Sequence, residues 1–158
     1  MTYNVGDNRY AEYGAKLVNT YFLDSVTGMY PTLEYAQNGY KYGLIDWKDM
    51  YYFLDALTLL EKSKALNRTQ VKQMRKWCKA LGVWYLTSKM GFAEVIALNN
   101  HGLYFDVTVF SLFLYAKEDN YVDSARARIL YRLAKESPLG HFALDGSQPH
   151  ESSRPTGI

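Results

Sequence analysis

The chain of 158 residues is 48% hydrophobic and 22% charged, with a formal net charge of +2. That balance belongs to a folded globular chain and excludes a disordered one, and the charge alone selects neither nucleic acid nor membrane as a partner. A single Cys78 excludes an internal disulfide and a cysteine zinc centre, and no run nears the roughly 18 apolar residues of a membrane span.

In chain order, the opening "MTYNVGDNRYAEYG" lacks the apolar core of a secretory signal. A first helix is predicted after Asp7 or Asn8, either of which can cap it. Tyr10, Tyr13, Leu17, Val18 and Tyr21 recur at helical steps and predict its buried face. Gly28 and Pro31 end that pattern. The loop "TGMYPTLEYAQNGYKYGLI" follows, rich in Tyr, Gly, Asn and Gln, and loops of that length tend to carry function.

A second helix is predicted from an Asp46 cap, with Trp47, Met50, Phe53, Leu54, Leu57 and Leu60 as its stripe. The third begins near Asn67 or Thr69. Val71, Met74, Cys78, Leu81 and Tyr85 face the core, and Arg68, Lys72, Arg75 and Lys79 face nearly opposite. From Lys62 to Lys89 there are eight Lys or Arg and no acid. This reads as a solvated basic face that could also attract a polyanion. Cys78 reads as a small buried hydrophobe.

The stretch "TSKMGFAEVIALNNHG" reads as irregular. A fourth helix, Leu103 to about Ala116, is apolar nearly all round and is expected to be buried. Its β-branched and aromatic residues would also suit a strand, but its length without a turn signal favours helix. A fifth helix runs from about Val122 to Lys135, with Val122, Ala125, Ile129 and Leu133 on its core side. The chain is therefore expected to be all-α: about five helices in antiparallel hairpins, forming a single domain over residues 1–158.

Two polar clusters stand out. In "NNHG", Asn99 or Asn100 can cap the fourth helix, and Gly102 gives its start backbone freedom. Capping needs one Asn, so Asn99, Asn100 and His101 together also suggest chemistry. A neutral imidazole accepts a proton near pH 7, and an Asn amide donates to an anion. The tail "LDGSQPHESSR" holds Asp145, Ser147, Gln148, His150, Glu151 and Arg154, and Arg154 offers a planar fork to a carboxylate. The three histidines, at 101, 141 and 150, lack metal-ligand spacing. No phosphate-loop, dinucleotide, zincin or calcium-loop motif is present.

"MYPTLEYAQ", "YGLIDWKDMYYFLDALTLL", "ALNNHGLYFDVTVFSLFLYA" and "LDGSQPHESSR" resemble, in that order, blocks of the alginate lyase superfamily. The resemblance implies part of an (α/α) toroid and β-elimination on a uronic-acid polymer of alginate or glucuronan type. It implies no metal or organic cofactor, an anionic polysaccharide as partner rather than nucleic acid or membrane, and an extracellular or periplasmic setting. Residue by residue, Asn100, His101 and Arg154 match catalytic positions. Gln148 and Glu151 match shaping positions of the tail loop, and Tyr35 and Gln37 a loop near the cleft. Asn99 and Tyr104 flank these as substrate-binding candidates. The family's proton-shuttling Tyr follows the Arg of the tail motif, and no residue up to Ile158 takes that place. A domain that is an incomplete toroid is expected to leave apolar surface of its fourth helix exposed. Two alternatives stay open: a fragment that binds polyanionic polysaccharide without cleaving it, and a helical interaction module.

Overall fold

The computed structural model describes residues 7–34, 44, 47–97 and 100–135, without the side chains of Asn100, Ala134 and Lys135. Among them every regular element is a helix. Its elements are α1 (Asn8–Val18), a π-helical turn (Asn19–Leu23), α2 (Met50–Ser63), α3 (Arg68–Thr87), α4 (Lys89–Val95), α5 (Asn100–Ala116) and α6 (Asp119–Lys135).

Local signals set most boundaries. The Asp7 carboxylate accepts from the Arg9 N–H and caps α1. Asn67 and Gln70 form a reciprocal capping box on α3, each side chain accepting the other's backbone N–H at 2.9 Å. The expected Asp46 cap lies outside the described residues. α2 itself starts later than that, at Met50, and its N-cap Asp49 makes no side-chain capping bond. The apolar run of α5 is a helix as expected, and it extends from Asn100 rather than Leu103.

α2 and α3 form an antiparallel hairpin, and α5 and α6 form another. Arg75 of α3 reaches back to Glu61 of α2 at 2.6 Å, and Lys79 reaches Glu118 beyond the end of α5 at 2.8 Å. Phe113 of α5 stacks on Tyr121 at the start of α6, with ring centroids 4.2 Å apart. The ends of α2 and α5 share the residues around Glu61, Lys64, Ala116 and Lys117, while Tyr104 near the start of α5 lies within electrostatic reach of Lys48 and Tyr51. α2 and α5 are therefore parallel, and α3 and α6 run against both. Repeating hairpins of this sense are what an (α/α) toroid requires.

The core fills the seam between these pairs. Leu57, Met74, Leu81, Tyr85, Leu112 and Phe113 are fully buried. Gly82 lets α3 touch α5 closely: a Cβ there would sit 2.8 Å from the Phe113 ring. Cys78 is buried among these residues, as expected, and burial pushes its thiol up, away from reactivity.

Three expectations are corrected. The aromatic face predicted for α1 points to water: Tyr10 is 70% exposed, Tyr13 63% and Tyr21 59%, with Leu17 also exposed. Of that face Val18 is buried as expected, and Ala15 is buried beside it. Tyr has an apolar body and a wet tip, so its spacing does not reveal which side faces in. The stretch read as irregular carries α4, capped by Ser88 accepting from the Gly91 N–H; seven residues are too few to show a period. On α6, Leu133 is 41% exposed and its neighbour Arg132 is buried. Of the large apolar residues of α5, Phe105, Val109, Leu112 and Phe113 are buried, while Leu114 is exposed and Leu103, Val107 and Phe110 are half-buried, so the helix leaves apolar surface open as expected.

Arg132 is buried because Asp106 of α5 is. Asp106 accepts from Arg128 Nε at 2.9 Å and from Arg132 Nε at 2.8 Å. Buried charge is tolerated only when paired, and removing one partner strands the other. Asp106→Ala is expected to lower stability by about 3–5 kcal/mol in urea unfolding. Arg128→Gln, whose parent side chain is nearly half exposed, is expected to lose about 1 kcal/mol or less.

Candidate active site

The junction between α4 and α5 builds the site. α4 ends at Val95, the Ala97 N–H donates to the Glu94 carbonyl at 3.1 Å, and α5 begins at Asn100. His101 thus lies in the first turn of α5, seven residues beyond Glu94. The two side chains meet, with His101 Nδ1 2.9 Å from Glu94 Oε2. Glu94 is only 4% exposed, and the imidazole is partly open to solvent. An ionised carboxylate only accepts, so an ionised Glu94 takes this bond from His101 Nδ1–H. A short helix that seemed shapeless in sequence is what delivers this carboxylate.

Tyr104 follows one turn after His101 on the same helix face. Across from it, the start of α2 supplies Lys48, Tyr51 and Tyr52. Lys48 pairs with Asp49 at 2.6 Å, which holds its ammonium charged. Tyr51 hydrogen-bonds Tyr52, and that bond pushes its phenol up to about 12. The open end of the bundle therefore presents an imidazole, an ammonium and several phenols.

The site is braced from behind. Arg132 Nη1 donates to the Ala97 carbonyl at 2.6 Å and Nη2 to the Val95 carbonyl at 3.1 Å, and Arg128 Nη2 also donates to Val95 at 3.2 Å. These carbonyls lie past the last turn of α4, where intrahelical donors run out. Gly102 makes room for the brace. A Cβ at this position would meet the Ala97 carbonyl and sit 2.5 Å from Arg132 Nη1. The glycine serves close approach rather than the backbone freedom read from the sequence.

Of the residues singled out in sequence, the structure brings together His101 and Tyr104. Asn100 starts α5, which puts its backbone beside His101, and its side chain is outside the described set. Asn99, Tyr35, Gln37, Gln148, Glu151 and Arg154 also lie outside the described residues. Among the described residues, no group of three or more His, Cys, Asp or Glu side chains could hold a metal ion. The sequence reading missed Glu94, Lys48, Asp106 and Arg132. One signal was available: Asp106 is the single acidic residue in an otherwise apolar helix, and such a carboxylate demands a cation. Arg128 and Arg132, four apart on the next helix, are the pair that fits.

The sequence model of the alginate lyase family matches residues 1–157. The chain belongs to that family. An alginate lyase from Bacteroides ovatus has the same fold over the matched region, with a TM-score of 0.74 and 34% identity. The match covers 83% of this chain and 36% of that enzyme, so the chain spans about a third of its length. No curated protein matches the chain.

Two outcomes test the geometry of this alginate lyase family member. Nitrogen NMR of His101 is expected to show the Nδ1-protonated tautomer, and Glu94→Leu to give a mixture of tautomers; an Nε2-protonated ring in the parent would contradict the pairing. Gly102→Ala is expected to destabilise by about 1–3 kcal/mol, because the brace must move.

Proposed function

We propose that the protein acts on a uronic-acid polymer of alginate type by β-elimination, with His101 at the reacting carbon. The observation that carries this reading is the Glu94–His101 pair at 2.9 Å. Holding Nδ1 in one hydrogen bond assigns the proton-accepting role to Nε2 and fixes the plane in which it works. Family membership supplies the substrate class.

The chemistry then follows from the residue types. The hydrogen on C5 is a weak acid because the charged carboxylate beside it resists further negative charge. Asn100 and Arg154, donating to that carboxylate, stabilise the enolate-like state that forms. His101 Nε2 takes the C5 proton. The electron pair left behind forms the C4–C5 double bond, the bond from C4 to the glycosidic oxygen breaks, and that oxygen takes up a proton. Tyr104, with Asn99, Tyr35, Gln37, Gln148 and Glu151, shapes the cleft in this reading. Lys48 adds a cation for the carboxylate of a neighbouring sugar.

The product carries a conjugated double bond and absorbs in the ultraviolet, so turnover is read directly. Alginate and glucuronan are expected to give that signal with the protein. His101→Ala is expected to lower kcat/KM by about 10²- to 10⁴-fold. Glu94→Gln is expected to lower kcat by about 10-fold or more with little change in KM, as for an orienting group. Absence of an unsaturated product from every polyuronate would sink the reading.

A further inference from the structure

A second charged feature lies at the other end of the bundle. α5 carries the chain from His101 to Ala116, a distance of about 22 Å at 1.5 Å per residue. There the ends of α2 and α5 and the start of α3 enclose a groove of about 950 Å³. Lys64, Arg68, Lys72, Arg75 and Lys117 line it, with Glu61 as its one acid. A second cavity, of about 330 Å³, adjoins it through Glu61, Arg75 and Lys117 and reaches Tyr115. Glu61 Oε2 is already paired with Arg75 Nη2 at 2.6 Å. Four cations therefore remain beyond the Arg75–Glu61 pair.

Two further observations set this groove apart from an ordinary solvated helix face. First, Arg75 Nε is buried here without a hydrogen-bond partner, while the Tyr115 hydroxyl is engaged with Glu61. A buried donor is rarely left unmade without reason, and an oxygen-rich ligand would supply the acceptor that Arg75 Nε lacks. Second, among the described residues the backbone is left-handed at two non-glycine positions, Lys64 and Lys117, both at φ 63°. Both follow the ends of helices, where glycine is the favoured residue, and both line this groove. The negative end of each helix accounts for a nearby cation, but not for placing it at a left-handed position.

We propose that this groove is a second binding surface for the polyuronate chain, separate from the end that holds His101. Lysine ammoniums on two loops and a file of Arg and Lys one helical turn apart on α3 meet a polymer that carries one carboxylate per sugar. The identity of the polymer rests on the reading given above; the groove itself does not. Its role is to hold the substrate while the other end cuts.

The test is binding of alginate oligosaccharides by calorimetry, in a His101→Ala background so that no turnover intervenes. Lys64→Gly combined with Lys117→Gly removes two charges where glycine suits the backbone. Affinity is expected to fall by roughly tenfold at low salt, with a flatter salt dependence and no loss in Tm. Lys64→Gln with Lys117→Gln is expected to weaken binding equally. Unchanged affinity in both double variants would overturn the proposal, as would no binding by the His101→Ala parent. Equal or tighter binding of polyphosphate or duplex DNA would also overturn it, since the groove would then be a general anion surface. Failure of the lyase reading shows separately, as absence of unsaturated product with the natural enzyme, and leaves the binding result standing.

Discussion

Asp106 is the constraint around which the rest is arranged. A carboxylate sealed inside an apolar helix has to be answered by cations, and only α6 lies close enough to provide them. Once Arg128 and Arg132 are drawn in, their remaining N–H groups need acceptors, and the carbonyls released at the end of α4 need donors. The two needs cancel. The result locks three helices at one point, directly behind the residues that open α5. Gly102 is then forced by space, and the path of the chain into His101 is set by a charge that never reaches the surface. A hydrophobic replacement of the ion pair could pack as well. It would leave the two carbonyls, and so the site, without their support.

This arrangement separates stability from reactivity. Glu94 touches the imidazole but belongs to a short helix with little core of its own. Arg132 holds the carbonyls of Val95 and Ala97 at the end of α4, next to Glu94. Substitutions on α6 therefore act on the site through the backbone, and substitutions of Glu94 act through the imidazole plane.

Much of the fold was legible in the sequence, for reasons that differ by element. α3 announced itself through a capping residue, a full apolar stripe and a basic opposite face. α5 did so through length and uniform apolarity. α1 misled because its aromatic residues are all half-polar, so their spacing marks a helix but not its buried side. α4 was invisible because periodicity needs more than two turns. The site was half legible. His101 stood out as an odd residue in an apolar neighbourhood, and the resemblance to a lyase family gave it a role. Glu94 did not stand out, because nothing local distinguishes a buried glutamate from a surface one. Its meaning depends on how α4 and the start of α5 meet, and the end of α4 is held by an arginine more than thirty residues further on.

The contact between Gly82 and Phe113 has one more consequence. With no side chain on one partner and a fully buried ring on the other, α3 has no slack to slide along α5. The basic outer helix and the helix that carries His101 behave as one rigid rod, so the separation of its two ends is fixed by the rise of α5 and not by any hinge. A polymer that touches both ends must be long enough to cover that span. On the proposed reading of the two ends, the bundle then acts as a ruler: short oligosaccharides reach one end at a time, and only longer chains are held at both.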